Sequence, residues 1–148
     1  MSWNELGVVA LAQGDLRLAE SYHQKALAIR KELNQFHYLV EDWAGMAKVK
    51  LAKGDSQCAR GFAEQFMEYV QENPRLIGAE HPMRTFRFTW DVWLGLGEAA
   101  KADQVLALAA DIIQDYLDKN DDPDMQAMYL RQPHHAVLWE AWQEKKDK

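Results

Sequence analysis

Apolar residues recur every three or four positions along most of the chain, which is the spacing of a helix face. No stretch alternates apolar and polar residues in the manner of a half-buried strand, and β-branched residues are few. The pattern therefore predicts an all-α protein. The predicted helices cover residues 3–13, 16–33, 37–53, 56–72, 82–96, 99–119, 123–131 and 134–145.

The chain contains an internal repeat. The segment LAQGDLRLAESYHQKALAI at 11–29 returns in altered form as LAKGDSQCARGFAEQFMEY at 51–69. A third copy follows if Gly97 is aligned with Gly14 and Gly54, which gives spacings of forty and forty-three residues. Glycine adopts the left-handed conformation that ends a helix, so these three residues predict equivalent corners between paired helices.

The repeat predicts how a single domain over residues 1–148 is organised. Three helix pairs are expected at about 1–36, 37–76 and 82–120, followed by a C-terminal cap at 121–145. The boundaries follow from the glycine corners and from prolines that interrupt helices. A chain of 148 residues is long enough to form one hydrophobic core.

The first repeat unit resembles the tetratricopeptide repeat. It carries that motif's small, aromatic and Leu-Gly positions at Trp3, Leu6, Gly7, Ala19, Tyr22, His23, Ala26 and Leu27. The unit departs from the motif at Ala10, where an aromatic residue is usual, and its period exceeds the usual length of about 34 residues. The resemblance implies an α-solenoid of about three helix pairs with capping helices, and a role in binding proteins or peptides.

The segment 97–142 is similar to the C-terminal end of tetratricopeptide arrays in large bacterial ATPase-type or cyclase-type signalling regulators. The similarity rests on Met128-Tyr129, Gln132-Pro133 and His135. It implies that the chain is a sensing or scaffolding part of such a regulator.

Composition limits the choice of partners and compartment. The chain carries 17 basic and 23 acidic residues, a formal net charge of -6, so we expect no binding to nucleic acid or to an anionic membrane. Its single cysteine, Cys58, excludes an internal disulfide and is typical of a reducing compartment. No signal peptide or membrane-spanning run is present, so a cytoplasmic location is expected.

No pattern of catalytic residues stands out, so we expect the protein not to be an enzyme. The sequence has no phosphate-binding glycine loop and no nucleophile elbow. Cys58 is expected to be buried as a small core residue. Four glutamates, Glu5, Glu20, Glu41 and Glu64, are expected on solvated helix faces.

No cofactor or metal site is expected either. Adjacent side chains such as His134 and His135 diverge by about 100 degrees on a helix, so they seldom share one ion. The acidic residues Asp121, Asp122 and Asp124 lack the spacing of a calcium loop and are better interpreted as a helix cap.

The six tryptophans allow two interpretations. Trp3 and Trp43 occupy motif positions and are expected in the core, and the pair Trp139 and Trp142 is expected to cap the third unit. The alternative is a small-molecule or nucleotide sensor, with its ligand under Trp90, Trp93 and nearby arginines.

The resemblance implies that the first helix of each unit lines a concave binding groove. The groove positions that we predict to bind a partner are Asn4, Val8, Lys48, Arg84, Arg87 and Asp91. Three of these residues are basic and would suit an acidic side chain or the C-terminal carboxylate of a partner peptide. The alternative is that the basic residues pair with nearby acids of the chain itself.

The first helix is apolar on several sides, notably at Trp3, Val8 and Val9. A terminal repeat normally presents a polar outer face to water. We therefore expect this helix to pack against a second copy of the chain, or against further repeats of a longer array.

Overall fold

The computed structural model of the protein describes residues 2–148 and contains eight helices within them. They are α1 (Trp3–Ala12), α2 (Leu16–Glu32), α3 (Phe36–Ala52), α4 (Ser56–Glu72), α5 (Pro82–Gly95), α6 (Ala99–Lys119), α7 (Pro123–Arg131) and α8 (Pro133–Lys146). The described part of the chain has no strand, which confirms the predicted all-α class. Each predicted helix end lies within one residue of the observed end. Over residues 2–148, no helix combines the length and apolar character that a membrane crossing requires.

Three glycine corners separate α1 from α2, α3 from α4 and α5 from α6. Gly14, Gly54 and Gly97 have φ values of 80°, 83° and 74°, in the left-handed region that was predicted for them. At the first corner the amide of Asp15 donates to the carbonyl of Ala10 at 2.9 Å, and matching bonds close the other two corners. This is the hydrogen-bond pattern of a Schellman motif, which satisfies the last carbonyls of each helix.

Aspartates begin the helices that follow two of these corners. The carboxylates of Asp15 and Asp55 each accept the backbone N–H three residues further on, at 3.1 Å. Asp122 caps α7 in a similar way, because it accepts the N–H of Asp124 at 2.9 Å. The contact of Asp122 confirms the helix cap that the sequence predicted there.

Helix α3 is the centre of the packing. It contacts α1, α2, α4 and α5 and has buried residues around its whole circumference. Helices α1, α3 and α5 are neighbours, while α2, α4 and α6 pack beside them. The main core joins α3, α4, α5 and α6, and the fully buried Leu138 ties α8 to it. Trp139 and Trp142 pack against the same core, as expected for a cap.

Trp3 differs from its predicted core position. It is 39% exposed, although its ring stacks on Tyr22 with the centroids 5.7 Å apart. Lys25 covers the indole with its ammonium 4.8 Å from the centroid. Trp3 lies on the outer side of α1, where only α2 flanks it, so one side of the ring stays open. Trp43, in contrast, packs partly buried against the main core.

The prediction that Cys58 is buried is wrong, because this residue is exposed in the first turn of α4. The next residue, Ala59, is the one that is fully buried. Hydrogen bonding to the Asp55 carboxylate raises the pKa of the Cys58 thiol. The thiol therefore lacks the lowered pKa of a catalytic nucleophile.

His23 of α2 is fully buried between two glycines, Gly7 of α1 and Gly45 of α3. A Cβ atom at Gly7 would lie 2.6 Å from the Nε2 atom of His23, and one at Gly45 would overlap the same ring. Both glycines therefore permit three helices to close around one imidazole. Neither ring nitrogen of His23 has a hydrogen-bond partner among the described residues.

Substitution of either glycine tests this packing. We expect Gly7→Ala and Gly45→Ala each to lower the free energy of unfolding by about 1–3 kcal/mol, because the added methyl overlaps the His23 ring. Denaturant unfolding measures the effect. The control is Gly61→Ala on the exposed side of α4, where a Cβ meets nothing within 4 Å. This control should stabilise the protein by about 0.5–1 kcal/mol. Equal stability of the Gly45→Ala and Gly61→Ala variants would contradict the close packing of the His23 ring against Gly45.

Candidate functional site

A buried polar network joins α1, α2, α3 and α5. The Nδ2 atom of Asn4 donates to Asp42 at 2.7 Å, and its Oδ1 atom accepts from Arg84 at 2.8 Å. Arg30 donates to the second carboxylate oxygen of Asp42 at 3.0 Å. Asn4 was predicted to contact a partner. It is only 3% exposed, so its side chain instead links α1 to α3 and α5.

Glu41 belongs to the same network, and the prediction that it lies on a solvated face is wrong. It is 4% exposed because helices surround α3. Its carboxylate accepts the backbone N–H of His81 at 2.8 Å and that of Glu80 at 3.3 Å. Its oxygens also lie 4.0 Å from Arg30 and from Arg84. Glu41 thereby fixes the segment that leads into α5.

Burial shifts the pKa of two groups in this region in opposite senses. It raises the pKa of Asp42 to about 6, because desolvation outweighs the favourable contacts with Arg30 and Asn4. It lowers the pKa of His23 to about 4, with a further contribution from the charges of Arg84 and Arg30. At neutral pH Asp42 is therefore mostly ionised and paired, and His23 is neutral.

These two shifts predict opposing effects of pH on stability. The His23 pKa falls from 6.5 to about 4 on folding, so the unfolded chain binds the extra proton and stability falls as pH drops through this window. The Asp42 pKa rises from 3.8 to about 6, so the native state binds the extra proton and stability falls as pH rises. Between about pH 4 and 6 the two contributions oppose each other.

The variant Asp42→Asn removes the pH-dependent contribution of Asp42 and leaves that of His23 in place. We expect its free energy of unfolding, relative to wild type, to increase by about 2–3 kcal/mol from pH 4 to pH 6. Urea unfolding at several pH values measures this difference. Asp111→Asn, at an exposed position of α6, is the matched control. If the difference between Asp42→Asn and wild type stays constant with pH, folding does not raise the pKa of Asp42.

The predicted basic positions lie along α3 and α5, where acidic groups accompany them. Lys48 and Arg87 share the carboxylate of Asp91, at 3.0 Å and 3.2 Å respectively. Arg84 faces Asn4 and Glu41, and 15% of its side chain is exposed. The pairing of these basic residues with acids of the chain, the alternative interpretation, therefore accounts for much of their charge.

Arg87 nevertheless keeps binding capacity. Within residues 2–148 its guanidinium donates to Asp91 through Nε alone, so both terminal amino groups have no partner. Its side chain is 28% exposed. An arginine with both terminal amino groups free can still bind a carboxylate or phosphate through two parallel hydrogen bonds.

A cavity of about 440 Å³ opens between the beginnings of α5 and α8. Its polar lining includes Arg84, His81, His134 and His135. Both helices start with proline, and neither has a side chain that caps its first amides. Uncapped helix N-termini carry a partial positive charge that favours anions.

The pKa and the contacts of His134 reflect its surroundings in this cavity. Burial and the positive charges of Arg87 and Arg84 lower the pKa of His134, so its imidazole is neutral at pH 7. Its Nδ1 atom is closed to solvent and has no hydrogen-bond partner within the described residues. The ring packs edge-on against Phe88 at 6.1 Å. The cavity lining thus combines the Arg84 guanidinium and the unpartnered nitrogen of His134 with the carboxylate of Glu80.

The two tryptophans named for the alternative sensor function do not line this cavity. Trp93 is fully buried in the core, and Trp90 packs partly buried against it. The sequence did carry a signal for the cavity. His81 and Gln132 precede Pro82 and Pro133 at helix starts where Ser, Thr, Asp or Asn would be usual caps.

A separate apolar surface lies on α1, α2 and the beginning of α3. We call these residues the N-terminal apolar face: Trp3, Val9, Leu18, Ile29, Leu33 and Phe36. Each is at least 37% exposed, and Leu33 reaches 59%. Val8, the third predicted self-association residue, is only half-buried and lies beside them in sequence.

The chain was compared with protein-family models, with curated proteins and with solved structures, and no match was found in any of the three.

Proposed function

We propose that the chain is a non-catalytic tetratricopeptide-like α-solenoid that binds a partner protein or peptide through a carboxylate group. The order of helix contacts supports a solenoid, because α1, α3 and α5 lie side by side as the first helices of successive pairs. The three corners with the same hydrogen bonds support repeated units. Exposed polar side chains of α3 and α5 then form the binding surface.

The observation that carries this proposal is the cavity between α5 and α8. It places Arg84 and His134 beside two uncapped helix beginnings. A chain end carries a carboxylate that needs several donors, and this cavity offers guanidinium, imidazole and a positive helix field. Arg87 is not part of the cavity lining, but it lies near enough to affect the pKa of His134, and its terminal amino groups are further donors.

We expect the protein to select peptides that end in a free carboxylate. A displayed library of random peptides with free C-termini provides the probe, and fluorescence polarisation measures the affinity of the enriched sequences. Amidation of the C-terminus should weaken binding by about tenfold or more, because a charge-assisted contact is lost. Arg87→Glu should have an effect of similar size.

The control is Arg17→Glu on the exposed surface of α2, which changes the net charge equally. The proposal fails if no peptide is enriched, or if Arg87→Glu and Arg17→Glu bind the peptides alike. The cavity volume also suits a small ligand, since such sites measure about 300–1,000 Å³. A thermal-shift screen in which a nucleotide stabilises the protein without peptide would favour the sensor alternative.

We further propose that the N-terminal apolar face mediates self-association. Its side chains are exposed apolar groups on α1, α2 and the beginning of α3, and exposed apolar surface commonly marks protein interfaces. A second copy of the chain offers a surface of the same chemistry in a symmetric dimer.

Replacement of Val9 by lysine should disrupt this association. Val9 is 42% exposed on α1, so Val9→Lys adds a charge without opening the core. We expect wild type to sediment as a dimer at high micromolar concentration and the variant to dissociate at about tenfold higher concentration or more. Ile77→Lys, in the loop before α5, is the control because Ile77 is 81% exposed and does not belong to the N-terminal apolar face. Monomeric wild type under these conditions would exclude the interface.

A further inference from the structure

Three metal-ligating side chains meet where α1 approaches the segment before α5. They belong to Glu5, Glu80 and His81, and their ligand atoms all lie within 4.8 Å of one another. The Nε2 atom of His81 is 3.7 Å from a carboxylate oxygen of Glu5. Glu5 is far in sequence from Glu80 and His81 and approaches them only through the fold. No sequence motif therefore predicted the cluster.

The Nε2 atom of His81 is available as a ligand. The ring as a whole is 40% exposed, yet this nitrogen is closed to solvent and has no hydrogen-bond partner in the described part of the chain. The 3.7 Å separation from Glu5 is too long for a hydrogen bond. Two ligand atoms bound tetrahedrally to one zinc ion lie roughly 3.4 Å apart, so His81 and Glu5 need only a small movement to share one.

The backbone around the cluster is held in place. The amides of Glu80 and His81 both donate to the buried carboxylate of Glu41. One oxygen of Glu5 takes part in the capping box with Ser2, and the other oxygen faces His81. Such support fixes the position of a ligand set before an ion arrives.

Carboxylates outnumber guanidinium groups near the cluster. Glu5, Glu41 and Glu80 are near enough to Arg84 to influence its pKa, and Arg30 is the other guanidinium that does so. One imidazole with two carboxylates suits zinc and related transition metals better than calcium or magnesium, which prefer oxygen ligands alone.

We propose that Glu5, Glu80 and His81 bind one divalent transition-metal ion of the zinc class, with solvent completing the coordination. The ion connects α1 to the segment that leads into α5. It sits beside the cavity, because Glu80 and His81 also belong to the cavity lining. Neutralisation of the two carboxylates stabilises the contact between the helices.

Zinc titration of the full chain, after treatment with a chelator, tests the site. We expect one zinc ion per chain by isothermal calorimetry and a melting temperature about 5–10 °C higher at one hundred times the Kd. His81→Gln and Glu80→Gln should each weaken binding by about tenfold or more. Excess magnesium should not displace the zinc.

His37→Gln and Glu68→Gln are the matched controls, since both residues are exposed and lie outside the cluster. They should bind zinc as wild type does. The nitrogen NMR signal of the His81 ring should shift at one equivalent of zinc, which a purely structural role of His81 would not produce. The site is overturned if zinc does not bind, or if His81→Gln and Glu80→Gln bind it as tightly as the controls.

Discussion

The packing of this protein depends on the burial of the middle of α3. Four helices contact α3 and enclose this part of it, yet the acidic residues Glu41 and Asp42 lie there. Their carboxylates must therefore be paired within the fold, because an unpaired buried charge is costly. Arg30 and Arg84 supply the opposite charges from α2 and α5. The helices around α3 are thus held by directional contacts as well as by apolar burial.

This requirement also shapes the candidate functional region. Glu41 fixes the backbone at Glu80 and His81, two residues that belong both to the cavity lining and to the proposed metal site. Arg84 contributes to the network and to the cavity lining at once. The geometry of the proposed sites therefore depends on the core network. A substitution in that network is expected to alter both sites.

The sequence predicted local structure well, because helix ends depend on nearby residues. Gly14 and Asp15, for example, determine a corner through backbone conformation and a local cap. It failed at Glu41 and Cys58, where burial depends on distant helices that no local pattern reveals. Glu41 resembles a solvated glutamate until α5 is placed beside α3, whereas Cys58 lies in a first helical turn that points outward. The cavity and the cluster of Glu5 with His81 likewise depend on long-range contacts.

The glycine corners have a consequence for how such a chain can change over evolution. Apart from the adjacent residues in the chain, none of residues 2–148 comes within 4 Å of a Cβ built at Gly14, Gly54 or Gly97, so each corner projects into open space. Insertions at projecting loop tips disturb neither the core nor the backbone pairing of adjacent elements. New segments, whether acquired by gene fusion or grafted by an engineer, could therefore enter at these corners while α3 and its polar contacts stay intact.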